Sequence, residues 1–373
     1  MAKGKKPSGD GLIAKVDAAE FARRLGYING SLPRRNQIPI LNCILLSAED
    51  ARVSLTATNL DQQSEADVTA EVTAAGSVCV EGARLATVVA RMTGELLLTL
   101  DEGKLKLTAG RARAELPVLP AGDFASLKGP EGGETFEIAS GVLGAGFGSV
   151  MHAASNEDTR YYLRGVFVER KSAALIFTAT DGHRLASLEI TSGIPAEADF
   201  EAFIVPREVL RDYCKFCERA DGPVAMTVSD GRLQLSAHGE THITKLIDGT
   251  YPAYERVIPK QSGARICVPL SELKAAVGIA MTGTEDRSRA VRFAAEEGRL
   301  HCLSRQEAAL SEAVIEATDI EPCEPFGLNA KYVLEALEAC RGDSVELVVV
   351  DSATPVRFET GDALRQCIMT LRV

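Results

Sequence analysis

Three stretches of the chain repeat one pattern, and that repetition restricts the possible folds more than any single motif does. A short apolar strand runs into an amphipathic helix at Val78-Cys79-Val80 before Arg84-Leu85, at Phe203-Ile204-Val205 before Val209-Leu210, and at Phe326-Gly327-Leu328 before Tyr332-Val333-Leu334. Leu85, Leu210 and Leu334 hold equivalent places roughly 125 residues apart. Behind each helix, apolar residues alternate around a polar turn: Asp101-Glu102-Gly103-Lys104, Ser229-Asp230-Gly231-Arg232 and Asp351-Ser352. Leu55, Phe177 and Cys302 match in the strands ahead of the helices, so several elements recur in one order three times.

Each copy reads as helix, strands, second helix and more strands. Helices are expected to begin near Asp17, Gly82, Ser140, Pro206, Leu270 and Asn329, with Pro206 in a first turn, where a missing N–H costs nothing. Glycine, proline and charge cluster over 128–133 and 259–263. These breaks give a flexible tail over 1–11 and domains over 12–130, 131–260 and 261–373. Strands outnumber helices, so the class is α+β. Domains joined head to tail build an open arc or, with a second chain, a closed ring.

Hydrophobic residues make up 46% of the 373, enough for several cores built from Leu, Val, Ile and Ala, since Trp is absent and aromatics are 5%. With 41 Lys+Arg against 52 Asp+Glu, the net charge of −11 excludes coating nucleic acid over the whole surface and leaves room for a segregated basic face. The nine cysteines follow no disulfide framework and sit in apolar segments, which fits a reducing cytoplasm. No run of about 18 apolar residues and no apolar leader is present, so a soluble intracellular chain is expected.

Several segments resemble the bacterial replicative sliding clamp family, the β subunits of DNA polymerase III. They are Ile38-Pro39-Ile40-Leu41, Thr58-Asn59-Leu60-Asp61, Leu119-Pro120-Ala121-Gly122-Asp123-Phe124, Thr159-Arg160-Tyr161-Tyr162-Leu163 and Ala179-Thr180-Asp181-Gly182-His183-Arg184-Leu185-Ala186. Asp248-Gly249-Thr250-Tyr251-Pro252-Ala253-Tyr254-Glu255-Arg256-Val257, Leu328-Asn329-Ala330-Lys331-Tyr332 and the terminal Ile368-Met369-Thr370-Leu371-Arg372-Val373 continue the match. The resemblance implies three repeated clamp domains, each with two helices packed on antiparallel sheets, and a head-to-tail ring as a dimer around double-stranded DNA. It implies a processivity factor with no catalytic chemistry and no cofactor, tethering polymerase by raising its effective concentration at the template. The implied partners are DNA polymerase III and other polymerases, a clamp loader, and repair proteins carrying short peptide motifs.

The resemblance also implies site residues. Arg35 matches a DNA-contacting position, with Arg160 and Tyr161 as further candidates. Arg207, Arg211 and Lys215 recur at i, i+4 and i+8 on one face of the fourth helix, and Arg84 and Arg91 share a side of the second. Such positive faces suit a protein that moves along phosphates without reading bases. The third helix carries four glycines and no charge over 140–149, which predicts a weak helix and a gap in the positive lining.

A partner-peptide cleft is implied at Tyr162, Leu163, Thr180, Gly182, His183, Arg184, Leu185, Pro252, Arg256, Val257, Asn329, Tyr332, Cys367, Ile368, Met369 and Leu371. Apolar grooves with a few polar groups, and adaptable Met, suit extended peptides. Thr370 replaces a common family proline and Arg164 a common asparagine, which alters the groove rim. Ala114 and Leu116 are implied to meet Ala280 and Met281 at the subunit interface. Taken as residues alone, the apolar members of these sets are core and the basic faces are solvated surface.

Two other readings compete. One is a paralogous clamp serving a specialised polymerase or repair pathway. The other, from a different class, is a redox or zinc protein using Cys214 and Cys217, a single CxxC inside a predicted helix with no second pair. Asp181-Gly182-His183 lacks a partnered nucleophile, and no phosphate loop of the GxxxxGK[ST] type occurs.

Overall fold

A computed structural model of the chain describes residues 11–33, 37–196, 198–284, 288–306, 309–361 and 363–372. Arg35 and nearly all of the expected tail lie outside these residues. The first repeat runs β1 (Ile13–Asp17), α1 (Ala18–Ile28), β2 (Cys43–Glu49), β3 (Arg52–Thr58), β4 (Gln62–Ala74), β5 (Gly76–Glu81), α2 (Gly82–Val89), β6 (Glu95–Asp101), β7 (Lys104–Ala109) and β8 (Ala112–Pro120). The second runs β9 (Thr135–Ala139), α3 (Ser140–Val150), β10 (Gly165–Lys171), β11 (Ala174–Thr180), β12 (Arg184–Ile190), β13 (Phe203–Pro206), α4 (Arg207–Arg219), β14 (Pro223–Ser229), β15 (Arg232–Ala237) and β16 (Glu240–Lys245). The third runs β17 (Ala264–Pro269), α5 (Leu270–Met281), β18 (Ala290–Glu296), β19 (Arg299–Gln306), β20 (Ala309–Glu316), β21 (Asp319–Ile320), β22 (Phe326–Asn329), α6 (Ala330–Ala339), β23 (Ser344–Val349), β24 (Val356–Glu359) and β25 (Leu364–Ile368).

All six helices start where the sequence places them, to within a residue. Local chemistry explains two of these starts. The Asp17 carboxylate accepts from Glu20 N at 2.8 Å, and the Asn329 side chain accepts from Lys331 N and Tyr332 N, each satisfying first-turn donors. Pro206 ends β13 instead of opening α4, so it sits one residue before the expected first turn. Two hairpin turns have the positive φ that such tight turns need, at Glu102-Gly103 and Asp230-Gly231. The third is a wider loop in which the Asp351 carboxylate accepts from Ala353 N and Thr354 N.

The glycine-rich third helix forms over its full length. Its expected weakness is overridden by packing: Val142, Leu143, Phe147 and Val150 are buried, and Phe147 meets Phe177 edge-on at 5.3 Å between ring centres. At Gly146 a side chain would strike the Phe177 ring, so glycine here permits close approach of the helix.

The described chain forms two compact units that cut across the repeats. The first holds residues up to Ser140 together with Lys215–Leu246, and its twelve-stranded sheet runs β1-β6-β7-β8-β5-β2-β3-β4-β16-β15-β14-β9. Its core packs Phe21 and Leu25 of α1 and Leu85 and Val89 of α2 over Leu46, Leu55, Leu98 and Leu107. The second unit holds Gly141–Cys214 and the residues from Ile247 onward, with sheets β13-β10-β11-β12-β25-β24-β23-β17-β21 and β20-β19-β18-β22. Its third-repeat core joins Leu273 and Val277 of α5, Val333 and Leu337 of α6, and Phe293, Phe326 and Phe358. The reason for the division is strand pairing. β16 of the second repeat adds to β4 of the first, His242 facing Ser64, and β25 of the third adds to β12 of the second, Arg184 facing Ile368.

Candidate functional site

Within the second unit, most of the expected cleft residues converge on the turn between β11 and β12. The Asp181 carboxylate accepts from His183 N at 2.9 Å and Arg184 N at 3.0 Å, and Thr180 Oγ1 donates to Arg184 O at 2.6 Å. Gly182 takes φ +87°, which a side chain would strain, and that bend presents His183 outward. His183 stacks on Tyr332 with 6.5 Å between ring centres, at the start of α6 that Asn329 caps. The C-terminal segment closes in from the other side: Met369 N donates to His183 O and Leu371 N to Gly327 O, both at 2.8 Å.

A second group lies under the segment that follows β16. Leu163, Leu185 and Cys367 form an apolar floor with Tyr251 and Tyr254. Tyr251 stacks on Phe167 at 4.7 Å, and Tyr254 Oη donates to Glu169 at 2.6 Å, so both rings pin the segment to the sheet. Pro252, Arg256 and Val257 are left exposed above that floor, and Tyr162 is half-buried beside it. Adjoining the floor, a cavity of about 1000 Å³ shares Leu185 and Cys367 with it and continues over Ile176, Ile258 and Arg357. Neither tyrosine was among the expected site residues. The signal was present, since Tyr251-Pro252-Ala253-Tyr254 is an aromatic pair in a chain poor in aromatics.

Three cleft expectations need correction. Arg184 is no free orienting group: it is 8% exposed, forms ion pairs with Asp181 and Glu335, donates to His152 O at 2.5 Å, and lies 4.3 Å from the Tyr332 ring centre. It braces the turn from behind. Thr180 is buried with its hydroxyl committed to that same turn, and Ile368 belongs to the third-repeat core. Burial also tunes titration here. It pushes the Cys367 thiol up to about 12, raises Tyr332, and brings His152 down to about 4, with the Arg184 charge adding to the last effect.

The expected DNA-facing residues are less uniform. Arg211 and Lys215 are exposed on α4, opposite buried Val209, Leu210, Tyr213 and Cys217. Arg207 departs from them: its guanidinium is half-buried and donates to Ala154 O at 3.1 Å and Ser155 O at 2.8 Å, so it ties chain segments together instead of standing free. Arg84 is exposed but paired with Glu81 at 2.8 Å, and Arg160 is paired with Glu157 at 2.8 Å beside a Tyr161 that is 54% exposed. α2 ends at Val89, so Arg91 lies beyond the helix, and its guanidinium folds back to Thr87 O at 2.7 Å. Neither Cys214 nor Cys217 is in a disulfide, and no group that could hold a metal occurs among the described residues.

For the subunit interface, Ala114 and Met281 are half-buried, whereas Leu116 is 7% exposed. Ala280 is wholly buried in the third-repeat core and offers nothing to a partner. Sequence reasoning missed its exposed neighbours Ile279, Leu310 and Val314, because α5 is apolar around much of its circumference and periodicity does not single out a buried face. Among the described residues, β20 pairs only with β19, and the stretch 112–117 of β8 pairs only with β7.

Comparison with known proteins gives consistent matches along the chain. Family models described as the N-terminal, central and C-terminal domains of the DNA polymerase III beta subunit match residues 14–128, 137–253 and 255–372. A beta sliding clamp of Caulobacter vibrioides is 32% identical, with 96% of this chain and 99% of that protein covered. Among solved structures, a Caulobacter crescentus DNA polymerase sliding clamp is 30% identical with a TM-score of 0.88, covering 97% of this chain and 100% of that one. A DnaN sliding clamp from Bartonella birtlesii bound to griselimycin is 29% identical with a TM-score of 0.90, at the same coverage.

Proposed function

The chain belongs to the DNA polymerase III beta subunit family, the bacterial sliding clamps, and from that premise we propose that it works as a homodimeric ring that holds a polymerase on duplex DNA. One observation carries the ring. Successive repeats join by the same strand pairing twice, β4 with β16 and β12 with β25, and among the described residues the equivalent third pair, β20 and the stretch 112–117 of β8, is left with open edges. A second copy placed head to tail satisfies both edges twice over and leaves no strand unpaired at the joints. The exposed Leu310 and Val314 on β20 and Ile279 on α5, with Ala114 on β8, supply apolar contact there. On this reading the domains are 12–130, 131–260 and 261–373, and each dimer sets six around the duplex.

Retention comes from enclosure, and cationic side chains such as Arg211 and Lys215 keep the duplex centred without reading its sequence. The cleft of His183, Tyr332, Met369 and Val257 over Leu163 and Leu185 takes short peptides from polymerases, the loader and repair proteins. Its role is to tether partners, in the cytoplasm, and the reaction chemistry belongs to the polymerase. No helix among the described residues is long and apolar enough to cross a membrane.

The test is topological. Protein loaded on nicked circular DNA should remain bound through a gel-filtration column and be lost once the circle is cut by a restriction enzyme. Equal retention on circle and linear DNA, or a solution mass of one chain at working concentration, defeats the reading.

A further inference from the structure

The first unit holds a cationic pocket that the expected DNA-facing set did not include. It is a cavity of about 110 Å³ bounded by Arg23, Arg24 and Tyr27 at the end of α1, by Arg219 at the end of α4, and by the β15–β16 turn at His238. Arg219 lies 3.9 Å from the Tyr27 ring centre and Arg24 lies 5.8 Å from it, so one aromatic ring steadies two guanidinium groups. Arg24 also donates to His238 O at 3.1 Å and to Glu20 at 2.8 Å, and Glu20 pairs with Arg23.

Behind the pocket runs a buried hydrogen-bonded chain. Ser31 and Ser64 hydroxyls are 2.6 Å apart, Ser64 Oγ is 2.7 Å from His242 Nδ1, His242 Nε2 is 2.6 Å from Glu240, and Glu240 forms an ion pair with Arg219. Phe216 closes over the His242 ring at 4.8 Å. Glu240 lines the inner wall of the cavity but is only 4% exposed, with its carboxylate taken up by Arg219 and His242. The cations face outward: the Arg23 side chain is 57% exposed and that of Arg219 27%. With Glu20 and Glu240 set against Arg23, Arg24 and Arg219, the cluster keeps one net positive charge in a chain of net charge −11.

We propose that this pocket is a seat for a phosphate of the duplex backbone, with Arg219 held in place from behind by the Glu240–His242–Ser64 chain and Arg23 reaching from the rim. The seat rests on the DNA-encircling reading. Fork-shaped guanidinium groups fixed at an aromatic face match phosphate oxygens better than mobile lysines do. Arg219 lies one helical turn beyond the exposed Lys215, so the two share a side of α4. Arg219 differs from Arg207, which is spent on carbonyl groups, and from Arg84 and Arg160, whose carboxylate partners are far more exposed than Glu240.

The test uses the full-length dimer and a short fluorescent duplex, with affinity measured across a salt series. Each phosphate contact contributes about 0.9 to the slope of log affinity against log salt. Arg219→Gln and, separately, the exposed Arg23→Gln should each lower the slope by about one, and Arg219→Lys should restore most of it. Arg23→Gln keeps the test decisive should Arg219→Gln unfold. An unchanged slope in folded Arg219→Gln and Arg23→Gln overturns the seat. So does stabilisation of the wild type, but not of Arg219→Gln, by inorganic phosphate with no change in duplex slope, because the site then takes free anion. Retention of the wild type on nicked circles is scored in parallel, so failure of the ring and failure of the seat give different results.

Discussion

Two alanine substitutions in α3 separate what glycine contributes by propensity from what it contributes by packing. At Gly148 the nearest atom to a new Cβ is Cys214 Sγ at 3.7 Å, an ordinary contact, so Gly148→Ala should recover most of the ~1 kcal/mol by which alanine exceeds glycine in a helix. At Gly146 the Cβ would sit 2.5 Å from two Phe177 ring carbons, whereas carbon atoms rest about 3.5–4 Å apart. Phe177 is fully buried and already braced edge-on against Phe147, so the ring has nowhere to withdraw without disturbing the core. Overpacking of that kind costs about 1–3 kcal/mol, which cancels or exceeds the same propensity gain. Gly148→Ala should therefore raise the melting midpoint by about 2–4 °C and Gly146→Ala should leave it unchanged or lower it. Differential scanning calorimetry reads the midpoints, and hydrogen exchange of the α3 amides localises the change. If both variants stabilise α3 equally, the Phe177 contact does not limit the helix and the packing argument fails.

Replacing Arg184 by alanine leaves Asp181 and Glu335 without their shared cation, and stripping one side of such a buried pair costs about 3–5 kcal/mol. Arg184→Ala should melt early and bind cleft peptides weakly in fluorescence anisotropy, and unaltered melting would refute the bracing role. His152 gives a pH signature. Burial holds its folded-state value at about 4 against an ordinary 6.5, so the unfolded chain takes up the proton first. Its contribution is constant above pH 6.5, and stability should fall by up to about 1.4 kcal/mol per pH unit from there down to pH 4. Urea titrations of His152→Gln should lack that component, and an identical pH slope in both proteins would remove His152 as its source.

The parts of the molecule legible in the sequence are those fixed by local chemistry. Asp17 and Asn329 mark helix starts because a short polar side chain three residues ahead of a backbone donor can cap it wherever the chain goes next. Apolar alternation set the strands for the same reason, and the cleft turn at Asp181-Gly182 was visible as a turn before it was visible as a site. What stayed hidden depends on neighbours distant in sequence. Arg207 and Arg211 look alike at a spacing of four, yet one meets the carbonyls of Ala154 and Ser155 and the other meets solvent. Ala280 and Ile279 are adjacent and apolar, yet one is core and the other exposed.

The same limit bears on which cations can meet a phosphate. A guanidinium is most available to a phosphate when the fold fixes it and its carboxylate partner is buried. Arg219 comes near that condition because Glu240, fixed beside His242 on a strand that continues the first repeat's sheet, is only 4% exposed. Arg84 does not, since Glu81, with a side chain 45% exposed, stands beside it. Strand pairing between repeats thus does two things at once: it joins neighbouring repeats, and it places a buried acid and histidine behind the helix end where a held positive charge is presented.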